Sequence, residues 1–301
     1  MRVGAVDIGT NSTRLLVAER GPDGLRWLEH RVAVTRLGRG VDADRRLGEE
    51  GMASTLEALA AYRQAAEAAG VDSMRAVATS ATRDAANRAE FLERAEDALG
   101  TRPEVITGEV EAELSFRGAT AGMDAGPVLV VDPGGGSTEF VYGTGEPEML
   151  VSVDIGSVRL TERALPDRPA DEVDVVAAAS SVEAMFGDVH LPDRPPTVVG
   201  VGGTFTSLAA IALDLPRYDR LQVHRSVLGR STLTSLIAEL AGMTVEETAA
   251  IPSLDPARAP VLLAGAVVAE AALRHVGVDE VIVSESDILD GIAAGLLEEA
   301  S

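Results

Sequence analysis

The sequence predicts an α/β fold built from two duplicated domains. Three observations carry that prediction. The stretch VVDPGGGST (130–138) repeats AVDIGTNST (5–13) at a constant offset of 125 residues. Strand-length apolar runs alternate with helical spacing in both halves. A chain of 301 residues is also long for a single core.

The repeat superimposes Val6 on Val131, Asp7 on Asp132, Gly9 on Gly134, Ser12 on Ser137 and Thr13 on Thr138. What surrounds it repeats as well. VGAVDIG (3–9) reads as a buried strand, and TRLLVAERG (13–21) and LRWLEHRVAVTRLG (25–38) as two more. Gly21-Pro22-Asp23-Gly24 is a hairpin turn between them. Residues 49–70 have helical spacing and stop at Gly70. Residues 74–80 then read as a strand, 84–99 as a helix, 104–107 as a strand and 109–121 as a helix.

The second half follows the same order. Strands are expected at 128–134, 137–143 and 148–156, and helices near 157–165 and 172–187. TVVGVGG (197–203) is a strand feeding a helix at 204–213; further helices cover 232–241 and 257–275. Residues 278–285 read as a strand and 288–299 as a closing helix. Leu165–Ala170 and Leu191–Pro196 carry Pro and charge and read as loops. The expected boundary lies in Gly122–Gly126, giving domains 1–124 and 125–301, with helix 288–299 a candidate to pack back on the first. A ligand in a cleft between such domains would touch both Asp-x-Gly turns.

Composition narrows the chemistry. The formal charge is −22, which argues against a nucleic-acid surface. No run approaches the roughly 20 uncharged apolar residues of a membrane span. There is no cysteine, hence no thiolate chemistry, and a cytoplasmic protein is expected. All 26 basic residues are Arg. Without Lys there is no Schiff base and no P-loop lysine, so phosphate must be held by Arg, backbone N–H groups, hydroxyls or a metal.

A strand that ends in Asp-x-Gly and turns into the next strand gathers backbone N–H groups into an anion-binding nest. Glycine allows close approach of the ligand. The residues expected to hold phosphate are Gly9, Thr10, Asn11 and Ser12 in the first turn, and Gly134, Gly135, Gly136, Ser137 and Thr138 in the second, with Thr13 adding a hydroxyl. Asp7 and Asp132 at the strand ends are candidates for a hard cation such as Mg²⁺. A single copy of this pattern is as well explained by a tight glycine hairpin with a capping Asp; two copies in register are not. A further turn, Gly200-Val201-Gly202-Gly203-Thr204, lies between strand and helix. Phe205 stands where a dinucleotide fingerprint needs Gly or Ala.

Two Asp-x-Gly turns and a later Gly-Gly-Thr turn resemble the actin, heat-shock-70 and sugar-kinase superfamily. Within it the chain resembles the exopolyphosphatase and guanosine-pentaphosphate phosphatase family. The matching pieces are DIGTNSTRLLV (7–17), ATSATRDAANR (78–88), ITGEVEAELSF (106–116), VVDPGGGSTEF (130–140), GVGGTFTSLAA (200–210) and VHRSVL (223–228), in the family's order. The resemblance implies two ribonuclease-H-like (actin-like ATPase) domains flanking a cleft. It implies Mg²⁺-dependent removal of the terminal phosphate of inorganic polyphosphate, or alternatively of guanosine pentaphosphate. It places a phosphate-binding Arg on Arg83, the general base on Glu111, and the catalytic and metal-site acids on Asp132 and Glu139, with Asp7 a further metal candidate and Gly202 and Gly203 in the substrate site. Crowding of these carboxylates is expected to raise the pKa of one of them. The resemblance allows a homodimer, although no stretch of sequence presents a legible interface.

The chain departs from the family pattern at Pro133, which has no N–H to donate, and at Val110, where a second Glu is frequent. It also lacks arginines near Glu246-Glu247-Thr248 and before Asp290. With the short length, these losses favour short or nucleotide-borne phosphate chains. Two other classes compete with this reading: a sugar-kinase-like phosphotransferase and a non-catalytic nucleotide binder. The presence of both Glu111 and Glu139 argues against each. The histidines at 30, 190, 224 and 275 have no metal-ligand spacing; His224 with Arg225 is a candidate to approach substrate.

Overall fold

Strands β1 (Arg2–Ile8), β2 (Thr13–Gly21) and β3 (Gly24–Ala33) form an antiparallel meander. The computed structural model describes residues 1–22, 24–123, 126–191 and 197–300. After the meander come α1 (Val41–Asp44), α2 (Glu49–Ala69), β4 (Ser73–Ala78), α3 (Ser80–Asp84), α4 (Arg88–Leu99), β5 (Glu104–Val105) and α5 (Gly108–Thr120). β4 pairs in parallel with β1, and β5 with β4, so the sheet order is β3-β2-β1-β4-β5.

The next meander is β6 (Val128–Pro133), β7 (Thr138–Thr144) and β8 (Glu146–Val153). Then follow α6 (Ser157–Ala164), α7 (Glu172–Phe186), β9 (Thr197–Gly200), α8 (Gly202–Ala212), α9 (Arg220–Val223), β10 (Val227–Gly229), α10 (Arg230–Ala241) and α11 (Val245–Ala249). A 3₁₀ turn (Pro256–Arg258), α12 (Ala259–Val276), β11 (Glu280–Val283) and α13 (Ile288–Glu299) complete the chain. The second sheet runs β10-β11-β9-β6-β7-β8. Apart from β10 it has the arrangement of the first: an antiparallel meander whose first strand carries two further parallel strands.

The duplication holds at the level of register. Asp7 pairs with Arg14 and Ile8 with Thr13; 125 residues later Asp132 pairs with Glu139 and Pro133 with Thr138. Each meander also has a bulge, between Val17 and Ala18 in one and between Tyr142 and Gly143 in the other, again 125 residues apart.

The chain divides into two units, Met1–Asp124 with Ser286–Ser301, and Ala125–Glu285. In the first, period-two alternation splits β1 and β2 between two faces. Val6, Ile8, Leu15 and Val17 pack with Leu59 of α2 and Phe91 of α4. Val3, Ala5, Leu16 and Ala18 pack with Ile292 and Leu296 of α13. In the second unit α12 is buried along nearly its whole length among α6, α7, α8 and α10. With the 3₁₀ turn before it, α12 is the one helix among the described residues long and apolar enough to cross a membrane by composition, and that apolarity is used in the core.

Several boundaries differ from the sequence expectation. The third strand ends at Ala33 rather than near 38, because residues 34–40 turn away to meet the Gly9–Ser12 turn. The helix expected over 84–99 starts only at Arg88, and Asp84 instead ends the separate short helix α3. Between them the buried Asn87 side chain accepts from Leu47 N (2.9 Å) and donates to Leu47 O (3.1 Å), which holds the break. Strand β10 was not anticipated. The Gly21–Gly24 turn, the Gly122–Gly126 boundary and the Leu191–Pro196 loop each include residues outside the described ones.

Candidate active site

The two glycine turns close in the same way. Gly9 N donates to Ser12 O and Gly134 N donates to Ser137 O, both at 2.9 Å. Pro133 therefore does not open the second turn; its carbonyl accepts from Thr204 Oγ1 at 3.0 Å. The first turn is braced by the following loop, where Arg36 N donates to Asn11 O (2.9 Å) and Gly38 N to Thr10 O (2.8 Å). The second is braced by α6. Ser157 N donates to Gly134 O, Val158 N and Arg159 N to Gly135 O, and the buried Arg159 side chain to Gly136 O at 2.9 Å. With the loop carbonyls thus engaged, the glycine backbone of the turn is held in place.

Two hydroxyls expected to hold phosphate are committed elsewhere. Thr138 Oγ1 donates to Ile155 O at 2.6 Å and the residue is fully buried. Thr13 Oγ1 is hydrogen-bonded to Thr35 Oγ1 at 3.0 Å, also fully buried. Strand alternation sends both side chains to a buried face of their sheets, where Thr138 spends its hydroxyl hydrogen on Ile155 O and Thr13 shares one with Thr35. Thr10 and Ser137 are buried, while Asn11, Ser12 and Gly135 are half-buried.

The acids fall into two different settings. In the first unit Arg14 grips Asp7 Oδ2 through Nε (3.0 Å) and Nη2 (2.7 Å), and also pairs with Asp287 at the N-cap of α13. Asp7 Oδ1 is buried without a partner. Burial pushes the Asp7 carboxyl up, against the pull of Arg14. An arginine already in contact makes Asp7 the weaker of the expected cation ligands. In the second unit Glu139 replaces the arginine. It is 1% exposed, faces Asp132 across the ladder, and accepts from Ser152 Oγ at 2.7 Å. Among the described residues no three His, Cys, Asp or Glu side chains gather as a metal cluster. Two carboxylates with the remaining positions left to water and phosphate is nonetheless a donor set that suits Mg²⁺, which keeps much of its hydration.

Glu111 and Arg83 are brought together. Arg83 Nη1 donates to Glu111 Oε2 at 2.7 Å and to Ile106 O at 3.0 Å. Thr107 caps α5, so Glu111 sits in its first turn, where the helix dipole favours a carboxylate. Within the first unit the Glu111 carboxylate is thus paired with a guanidinium.

Gly202 and Gly203 start α8. Gly202 has φ +80°, and a Cβ there would lie 2.6 Å from Asp132 Oδ1. A side chain is therefore excluded both by the backbone and by the carboxylate beside it. A Cβ on Gly203 would run into the Arg258 guanidinium. Arg258, Arg159 and Asp287 are parts of these settings that sequence reasoning missed; each meets a partner more than 20 residues away, and no local pattern marks them. His224 accepts from Glu285 N through Nδ1 (3.1 Å), so it is tied to the end of β11.

A family model described as the Ppx/GppA phosphatase family matches residues 16–300. The chain belongs to the Ppx/GppA phosphatase family. Among Ppx/GppA relatives, Exopolyphosphatase 2 of Mycobacterium tuberculosis is 42% identical over 98% of both chains. Exopolyphosphatase 1 of Mycobacterium bovis is 30% identical over 97% of this chain and 87% of its own. Among solved structures, the Aquifex aeolicus Ppx/GppA family member matches with a TM-score of 0.84 at 33% identity, covering 100% of this chain and 99% of its own. An exopolyphosphatase from Cytophaga hutchinsonii matches at 0.88 and 28% identity, covering 99% and 98%. The fold expected from the duplicated turns is thus that of the Ppx/GppA phosphatases.

Proposed function

We propose that this protein is an exopolyphosphatase that hydrolyses the terminal phosphoanhydride of inorganic polyphosphate and releases orthophosphate. The observation that carries the proposal is the Asp132–Glu139 pair beside a phosphate-type turn, at the place where the first unit has Asp7 and Arg14. The turns at Gly9–Ser12 and Gly134–Ser137 offer backbone N–H groups to phosphate oxygens. Arg83 offers a guanidinium for phosphate while orienting Glu111. Glu111 takes the proton from the attacking water. Asp132 and Glu139 would hold Mg²⁺, which when bound supplies charge neutralisation for the phosphoryl group. Gly202 leaves room around Asp132, and Ser152 fixes Glu139.

Removal of the terminal phosphate of guanosine pentaphosphate is the second reading. It uses the same residues and is supported by the scope of the family resemblance. Phosphate release with Mg²⁺ from tripolyphosphate, long-chain polyphosphate and guanosine pentaphosphate tests both. Release from the inorganic chains is the expected result. Release from the guanosine compound alone would replace the first reading with the second, and no release from any would refute both.

A further inference from the structure

A cavity of about 400 Å³ lies in the first unit between the loop after β3 and the start of α2. Its wall includes Arg36, Arg39, Gly48, Glu50 and Ser54. The loop that carries the two arginines is the one that braces the glycine turn. Arg36 N bonds Asn11 O, Gly38 N bonds Thr10 O, and Thr35 Oγ1 bonds Thr13 Oγ1. The cavity therefore adjoins the element expected to hold the terminal phosphate. On its far side, a Cβ on Gly51 would stand 3.0 Å from Arg36 O, so α2 begins hard against the loop and fixes it.

The composition of the wall favours an anion. It carries two arginines and one glutamate, in a chain whose formal charge is −22. The N-cap of the 21-residue helix α2 is Gly48, which has no side chain to accept from the first N–H groups of that helix. Arg36 also has φ +52°, a left-handed conformation that glycine adopts far more readily. Backbone geometry alone would select glycine there. An arginine held in that conformation points to a use for its side chain.

We infer that this cavity is a binding subsite for phosphate groups beyond the one being cleaved, with Arg36 and Arg39 as its cationic contacts. The inference rests on the hydrolase reading above for the position of the terminal phosphate. It identifies where the rest of a polyanionic substrate runs. The shared chemistry is phosphate, supplied either by an inorganic chain or by the 3′ diphosphate of a guanosine compound.

The test uses the full chain carrying Arg36→Gly, which suits the backbone, and Arg39→Ala. KM and, by calorimetry, Kd are measured for tripolyphosphate, a long polyphosphate chain and guanosine pentaphosphate. Each variant is expected to weaken the long ligand about tenfold more than tripolyphosphate, in keeping with loss of a charge-assisted contact. A selective loss on long polyphosphate assigns the cavity to an inorganic chain, and a selective loss on the guanosine compound assigns it to the nucleotide's diphosphate. Equal effects on all three, or none, overturn the inference. If the wild-type protein releases no phosphate at all, the hydrolase reading fails, and the calorimetric ratio still decides the cavity.

Discussion

Glu139 lies directly opposite Asp132 across the β6–β7 ladder, and accepts a hydrogen bond from Ser152 on the next strand. The same register position in the first unit holds Arg14 opposite Asp7. Two copies of one strand-turn-strand element have thus diverged in charge at the position that faces the shared aspartate. One copy is neutralised internally by an arginine. The other sets two acids opposite each other, a donor pair that suits a hard cation.

Ser152 acts on the acid pair through Glu139. Ser152→Ala is expected to raise the Mg²⁺ concentration for half-maximal activity by about tenfold, the usual effect of removing a partner of a metal ligand. The melting temperature should barely move, since the residue is only half-buried. A metal titration of activity checks this.

The Arg14–Asp287 contact ties α13 to the sheet of the first unit. Asp287→Ala leaves a buried guanidinium short of a partner, which costs about 3 kcal/mol. It also removes the acceptor for Leu289 N at the helix start. Asp287→Asn keeps an N-cap oxygen and should lose less. Urea unfolding of the two variants measures the difference.

Gly118 and Gly291 let α5 and α13 touch. A Cβ on Gly118 would lie 1.8 Å from Asp287 O, and one on Gly291 would lie 2.1 Å from Leu114 O. Gly118→Ala must push the helices apart and is expected to cost about 1–3 kcal/mol. Because α5 carries Glu111 in its first turn, activity should fall further than stability alone explains. Rates measured well below the melting temperature separate the two effects.

Burial, Arg225 and Arg220 hold the His224 imidazole below its ordinary value of 6.5. The folded protein prefers the neutral ring, whose Nδ1 accepts from Glu285 N. This contribution is complete above pH 6.5 and is lost as pH falls through that value toward the lower folded pKa. His224→Asn should therefore flatten the fall in melting temperature between neutral and mildly acid pH. An unchanged slope would show that other groups set it.

The repeat of Asp7-x-Gly9 at Asp132-x-Gly134 was enough to read the duplicated sheets, because a strand-turn-strand element is encoded locally. Glu111 and Arg83 were named from family motifs, and their ion pair is an encounter between α3 and α5 that no spacing encodes. The partners of the Thr13 and Thr138 hydroxyls were not legible for a related reason. A threonine after a glycine turn looks like a phosphate donor, and only the strand alternation sends its side chain inward to Thr35 or Ile155. Arg14 is the sharpest case. Its difference from Glu139 was visible in the aligned repeats, but its partner Asp287 lies 273 residues away.

The proposed role of Glu111 as the base of a phosphoanhydride hydrolase is tested most directly by phosphate release from tripolyphosphate with Mg²⁺, comparing the wild-type protein with Glu111→Gln at matched melting temperature. Release by the wild type and a loss of at least about 100-fold in the variant are expected. A folded Glu111→Gln protein that releases phosphate at the wild-type rate would contradict that role.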